Sequence, residues 1–132
     1  MDKFEKKIRK ITGHPENAIV VGKGFGMFSS MLSTHNTIFK FNSTDRGLKV
    51  KNLIYRESFD HLDQLYEIRV IYFDLDMLHL LENFRSCWTK DNSMVIIEGG
   101  EPIGREFSKP LYDTGWGCTI VEKHFHVWTK IK

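Results

Sequence analysis

The chain has 132 residues, of which 41% are hydrophobic and 27% charged, and this composition predicts one globular domain rather than a disordered chain. The 19 basic and 17 acidic residues leave a net charge of +2, which does not indicate a nucleic-acid partner. Two cysteines without a CxxC spacing argue against a disulfide framework, and the absence of a signal-peptide pattern or a membrane-length apolar run predicts a cytoplasmic protein without a membrane partner.

The first predicted element is a helix over residues 1–13. Asp2 can cap it, and Pro15 prevents its continuation. Three apolar residues recur on one face of this helix: Phe4, Ile8 and Ile11. Lysines and an arginine cover the other side, which is typical of a solvated helix surface.

Residues 18–28 combine an apolar run with three closely spaced glycines. A β-branched apolar run up to Val21 predicts a buried strand, and three glycines follow at alternate positions before a predicted helix that ends near Thr34. A strand, a glycine turn and a helix open the nucleotide-binding α/β folds, because glycine lets a ligand approach bare backbone and the helix N-terminus offers N–H groups. A plain tight turn in a small α/β domain is an equally weighted alternative.

The middle of the chain predicts more strands and two helices. The predicted strands are Thr37–Phe41, an extended stretch over residues 48–55, Ile68–Phe73 and Met94–Glu98. One helix is predicted to start after Ser58 and another after Asp76, each of these residues acting as the N-cap. The apolar runs are continuous rather than alternating, which predicts a central, mostly parallel sheet that is covered on both faces.

The C-terminal part predicts a long loop and a closing edge. Residues 101–117 carry prolines and glycines, and we predict no helix there. Tyr112 and Trp116 in this loop can either stack on a base or an adenine ring or hold the loop against the domain. Residues 118–123 and 126–130 predict one long strand or two short ones that form an antiparallel edge.

In this order the elements resemble the class I S-adenosylmethionine-dependent methyltransferases, from about Ala18 to the C-terminus. The glycine stretch resembles the first motif of that family, a hydrophobic strand followed by GxGxG. The resemblance implies a three-layer, Rossmann-like α/β domain with a central, mostly parallel sheet and an antiparallel C-terminal edge. We predict a single domain over residues 1–132, with an N-terminal helix over 1–13 and a methyltransferase-like core over 18–132.

The resemblance also implies a cofactor, S-adenosylmethionine, and residues to hold it. The implied positions are Gly22, Gly24 and Gly26 beneath the methionine part, Asn42 or Asp45 at the ribose, and Ser58, Phe59 and Asp60 at the adenine. Asp74, which follows the fourth predicted strand, would face the transferred group as the catalytic residue. The implied activity is methyl transfer by a small enzyme.

The chain departs from the family pattern at two positions near the glycines. Val20 stands where the family has an acid, and Lys23 places positive charge beside a cationic sulfonium. These departures support an alternative, a catalytically inactive methyltransferase-fold protein with an interaction or regulatory role. Exposed aromatic residues in the 101–117 loop would then form a partner or dimer surface.

Two other patterns in the sequence contain residue types that can bind a metal ion. Asp74 and Asp76 after an apolar strand resemble the acidic pairs of haloacid-dehalogenase-type phosphatases and of some glycosyltransferases, which use a metal for phosphoryl or glycosyl transfer. The favoured interpretation is one polar residue at the strand end plus one helix cap. His124 and His126 share a face if they lie on a strand, and we predict a polar sheet face there rather than a metal site.

Overall fold

The computed structural model describes residues 3–12, 17–22, 32, 34–41, 49–59, 68–87, 94–99, 108–113 and 115–130. The elements in chain order are α1 (Lys3–Thr12), β1 (Asn17–Val21), β2 (Thr37–Phe41), β3 (Leu53–Arg56), β4 (Ile68–Phe73), a 3₁₀ helix (Leu75–Cys87), β5 (Met94–Glu98), α2 (Ser108–Asp113), β6 (Trp116–Val121) and β7 (Phe125–Lys130). None of the helices in these ranges is long and apolar enough to cross a membrane.

The described strands form one seven-stranded sheet in the order β3-β2-β1-β4-β5-β7-β6. The five strands from β3 to β5 are parallel, β7 runs antiparallel to β5, and β6 runs antiparallel to β7. Chain order reverses at β1, because β2 lies on one side of it and β4 on the other. The predicted α/β sheet with an antiparallel C-terminal edge is therefore confirmed, and the reversal creates the kind of crevice in which open α/β sheets bind ligands.

Each central strand buries both of its faces. On one face the core contains Ile19, Val21, Ile71, Phe73, Val95 and Ile97, covered by Leu81, Phe84, Leu111 and Trp116. On the other face it contains Ala18, Val20, Val70, Tyr72, Ile96 and Val127, with Ile11 and Leu32 packed against it. Successive strand residues point to opposite faces, so burial of both faces explains the continuous apolar runs in the sequence.

The extended stretch predicted over 48–55 is shorter in the structure. Lys51 and Asn52 form a turn, and β3 begins only at Leu53. The Asn52 side-chain amide donates to the Leu32 carbonyl at 2.8 Å, and the Leu53 N–H donates to the Val50 backbone carbonyl at 3.2 Å. Both hydrogen bonds stabilise a turn at Asn52, so alternation of apolar residues alone overestimated the strand.

The predicted helix cap at Asp76 is wrong by two residues. The 3₁₀ helix begins at Leu75, and the Met77 N–H donates to the Asp74 carbonyl at 2.9 Å. Asp74 therefore immediately precedes the helix, and Asp76 lies inside its first turn. A negative charge there stabilises the helix, because it interacts favourably with the positive end of the helix dipole.

The long loop predicted over residues 101–117 is also corrected, because it contains α2 and the first residues of β6. Pro110 is the third residue of α2, in the first turn, where a backbone N–H has no helical partner to lose. Leu111 is fully buried, and Lys109 Nζ donates to Asp113 Oδ2 at 2.6 Å. Burial of one leucine and an i,i+4 ion pair stabilise a helix that its composition argued against.

The C-terminal edge consists of two short strands, which is one of the two predicted alternatives. Cys118 of β6 lies opposite Trp128 of β7, and the Glu122 N–H donates to the Phe125 carbonyl at 2.8 Å across the turn. His126 is only 1% exposed, so the predicted polar sheet face is wrong at that residue, whereas His124 is exposed in the turn. His126 Nδ1 accepts a hydrogen bond from Trp128 Nε1 at 2.5 Å, which pairs the indole N–H and this imidazole nitrogen within the core.

Candidate functional site

The carboxyl ends of β1, β2 and β4 are tied together by backbone hydrogen bonds. The Gly22 N–H donates to the Phe41 carbonyl at the end of β2, and the Asp74 N–H donates to the Val21 carbonyl at the end of β1, both at 3.2 Å. Gly22 and Asp74 therefore extend the sheet by one residue at the point where its strand order reverses. Ligand crevices in open α/β sheets lie at such a position.

Gly22 and Asp74 are in close contact at this edge. Gly22 has a φ of 102°, and a Cβ atom at this residue would lie 2.5 Å from Asp74 Oδ2 and 2.8 Å from Asp74 Cγ. Glycine is therefore required for two reasons, the backbone conformation and the space that the carboxylate takes. Asp74 is only 7% exposed, so its carboxyl group is buried against the Gly22 backbone.

The position that carries an acid in the resembled family is apolar core here. Val20 is fully buried and lies between Lys40 of β2 and Tyr72 of β4 in the sheet register. The Tyr72 hydroxyl lies 2.6 Å from His35 Nε2, and burial raises the pKa of Tyr72 above its usual range. This side of the sheet therefore contains a buried tyrosine–histidine pair near the position where the family has a carboxylate.

An aromatic cluster flanks the same edge of the sheet. Phe59, which follows β3, stacks on Phe41 at the end of β2, with ring centroids 5.6 Å apart and an interplanar angle of 13°. Phe84 meets Phe59 edge-on at 5.3 Å. Phe59 is half-buried, whereas the neighbouring Ser58 is exposed. Phe59 is thus a flat apolar group near the end of β2, where the resemblance implies the adenine.

The structure describes four of the nine predicted cofactor and catalytic residues, and it brings two of these four together. Gly22 and Asp74 are in contact, whereas Ser58 and Phe59 follow β3, which is two strands away from β1 in the sheet. Five predicted positions lie outside the described residues, namely Gly24, Gly26, Asn42, Asp45 and Asp60. Nothing in the sequence signalled the contact between Gly22 and Asp74, because these residues are far apart in the chain and meet only through strand pairing.

The acidic pair at Asp74 and Asp76 does not converge on one site. Asp74 is buried against Gly22, whereas Asp76 is exposed and lines a cleft between the 3₁₀ helix and α2. In the described ranges, no group of three histidine, cysteine, aspartate or glutamate side chains could hold a metal ion. The geometry of these two side chains matches a strand-end residue and a helix residue.

The two aromatic residues of the 101–117 stretch have different environments. Trp116 is 1% exposed and belongs to the core, so it holds this segment against the domain and offers no surface for stacking on a ligand. Tyr112 is 52% exposed, and its ring meets that of Trp128 edge-on at 5.1 Å. Of these two aromatic rings, Tyr112 alone could contribute to a surface.

Comparison with solved structures identifies the fold. The chain matches a methyltransferase from Geobacter sulfurreducens with a TM-score of 0.67 at 16% identity, over 100% of this chain and 80% of that one. It matches a ribosomal protein L11 methylase from Lactobacillus delbrueckii subsp. bulgaricus with a TM-score of 0.64 at 11% identity, over 95% of this chain and 75% of that one.

A third match is the MycE methyltransferase, solved in complex with Mg, SAH and mycinamycin VI, with a TM-score of 0.60 at 13% identity. It covers 98% of this chain and 45% of MycE, so this chain spans less than half of that protein. No protein-family model and no curated protein matches the sequence. The strand order and these matches show that the chain has the class I methyltransferase-like fold.

Proposed function

We propose that this protein is a small methyltransferase that binds S-adenosylmethionine at the carboxyl edge of the sheet, over Gly22 and beside Asp74. The contact between these two residues at the strand-order reversal is the observation that carries the proposal. It combines a backbone position without a side chain and a fixed carboxylate, at the place where open α/β sheets bind ligands.

The described residues support the proposal at three points. Gly22, with a φ of 102°, makes the sharp turn after β1 that brings the Asp74 carboxylate to this edge, and Phe59 offers a half-buried ring for the adenine. Asp74 supplies negative charge near the sulfonium, and its burial against Gly22 strengthens that attraction relative to water. When bound, the cofactor supplies an electrophilic methyl group, and Asp74 orients and stabilises the cationic centre that carries it.

Calorimetric titration with S-adenosylmethionine and with S-adenosylhomocysteine tests this proposal. Only the first ligand carries the sulfonium charge, so Asp74→Asn should weaken its binding more than that of the second ligand. We expect a loss of about tenfold, which corresponds to about 1.4 kcal/mol. The matched control is Asp76→Asn, because Asp76 is exposed and has no contact with Gly22, and both affinities should stay unchanged.

Binding of the second ligand also shows that the Asp74→Asn protein is folded. The absence of heat with both ligands at about 1 mM, which corresponds to less than about 4 kcal/mol of binding free energy, would contradict the proposal. An equal loss for the two ligands would instead contradict the role of the Asp74 charge.

A second candidate function is that of an inactive methyltransferase-fold protein with an interaction role. It is favoured by Val20, which lies in the apolar core and leaves no acid to hold the amino end of a cofactor. The exposed ring of Tyr112 would then contribute to a partner or dimer surface. Absence of cofactor binding, together with a dimer by light scattering that Tyr112→Ser dissociates, would favour this candidate.

A further inference from the structure

A cleft of about 370 Å³ lies between the 3₁₀ helix and α2, apart from the Gly22–Asp74 contact. Its apolar wall consists of Leu75, Leu78 and Leu81 from the helix, with Pro110 and Leu111 from α2. The volume lies within the range of about 300–1,000 Å³ that is typical of small-molecule sites. Leu75 is 45% exposed, so the apolar surface continues from the cleft to solvent.

The 3₁₀ geometry arranges this wall in rows. Such a helix has three residues per turn, so residues three apart lie one above the other. Leu75, Leu78 and Leu81 therefore form one row, and the adjacent residues form a second row along the cleft. An α-helix of the same sequence would spread each row around its surface, because it has 3.6 residues per turn.

The second row is polar and acidic. It consists of Asp76, His79 and Glu82, all exposed and all lining the cleft. The described residues that line the cleft include no lysine or arginine. Lys109 precedes the lining residue Pro110, but its ammonium group donates to Asp113 at 2.6 Å. Lys109 and Asp113 do not line the cleft. The cleft therefore has two carboxylates beside its apolar wall and is complementary to a cation.

The hydrogen bond of His79 determines which of its nitrogens faces a ligand. His79 Nδ1 lies 3.0 Å from the Asp76 carbonyl, which can only accept, so Nδ1 carries the proton of the neutral ring. Nε2 is then an acceptor. The polar row thus presents two carboxylates and one imidazole acceptor, all of which suit a ligand that donates hydrogen bonds.

We propose that this cleft binds a small molecule with an apolar body and a protonated amine. The leucine row and α2 take the apolar body, and Asp76, Glu82 and His79 Nε2 receive the ammonium group. This proposal does not depend on cofactor binding at Gly22, because the cleft contains none of the atoms in that contact.

The test uses three compounds of nearly equal shape: phenethylamine, phenethyl alcohol and phenylacetate. Each is titrated into protein with labelled leucine methyl groups, and the methyl NMR shifts give both the location and the affinity. We expect shifts at Leu75, Leu78, Leu81 and Leu111, with the amine binding about fivefold more tightly than the alcohol, and with the carboxylate weakest.

Glu82→Gln should weaken the amine about two- to fivefold and leave the alcohol unchanged, because a rim ion pair contributes up to about 1 kcal/mol. The matched control is Glu98→Gln, which removes an equal charge from an exposed residue of β5 outside the cleft and should change neither affinity. Leucine shifts elsewhere, or equal affinities for the three compounds, would overturn the proposal. No shift at about 10 mM phenethylamine would overturn it as well.

Discussion

Gly22 and Gly99 end two strands of the same sheet with the same backbone conformation and with different surroundings. Their φ angles are 102° and 112°. A Cβ atom would collide with the Asp74 carboxylate at Gly22, whereas at Gly99 it would meet no atom of the described residues within 4 Å. The shared φ reflects the sharp turn after each strand, but only the β1 edge brings an acidic group against the backbone. The backbone conformation therefore does not distinguish the proposed site, whereas the close approach of Asp74 to Gly22 does.

The substitutions Gly22→Ala and Gly99→Ala should have the largest and most unequal effects. A side chain at positive φ costs about 1–2 kcal/mol, which is the expected loss at Gly99. Gly22→Ala adds the collision with Asp74, for a total of about 3–4 kcal/mol. Urea unfolding measures both losses. Equal losses would mean that the Asp74 side chain moves away at little cost, and the proposed close contact would not constrain the site.

Protonation of His126 should have the next largest effect. His126 lies on β7 beside β5, the strand that precedes Gly99. His126 pairs with Ile97 near the end of β5 and accepts a hydrogen bond from Trp128, which the protonated ring cannot do. Burial lowers the pKa of His126 from its ordinary value of 6.5 to about 4. The unfolded chain therefore binds the proton more tightly, so stability is complete above pH 6.5 and falls as the pH drops towards 4.

The expected loss is about 3 kcal/mol at pH 4, from about 1.4 kcal/mol for each unit of pKa difference. Urea unfolding at several pH values measures it. His126→Asn keeps an acceptor and removes the titration, so this part of the pH dependence should disappear. His124→Asn is the control, because His124 is exposed in the turn. An unchanged pH profile in the His126 variant would show that other groups cause the acid sensitivity.

Tyr72→Phe tests the buried contact between Tyr72 of β4, which lies beside β1, and His35, and it should have a smaller effect on stability. The change removes the hydroxyl group that lies 2.6 Å from His35 Nε2 in the buried pair. We expect a loss of about 1–2 kcal/mol, because a buried polar group loses a hydrogen bond. Tyr112→Phe is the control, since Tyr112 is 52% exposed, and it should change stability by less than about 0.5 kcal/mol. Equal losses in thermal unfolding would contradict the importance of the His35 contact.

The smallest effect should come from the exposed ion pair between Lys109 and Asp113 on α2. Their side chains are 79% and 60% exposed, so Asp113→Asn should reduce stability by at most about 0.5 kcal/mol. High salt should remove even this difference in urea unfolding. A loss above about 1 kcal/mol would mean that α2 depends on this pair rather than on the buried Leu111.

Local sequence patterns were sufficient for most of the strands and for the place of one candidate site residue in the fold. The predicted Thr37–Phe41, Ile68–Phe73 and Met94–Glu98 coincide with observed strands, because continuous β-branched and aromatic runs leave few alternatives. Asp74 was also predicted at a strand end. The segments that differ are Asn52 and α2, where a side-chain hydrogen bond and the burial of Leu111 decide the outcome. Such contacts come from residues that are distant in the sequence.

The sequence by itself determined the α/β class, because its apolar runs had to be buried on both faces of a sheet. Only the tertiary structure decided that Asp74 lies against Gly22, that His126 is buried, and that a cleft forms beside the 3₁₀ helix. The physical reason is that strand pairing and helix packing bring these groups together across many residues of chain. Local propensity contains no information about such distances.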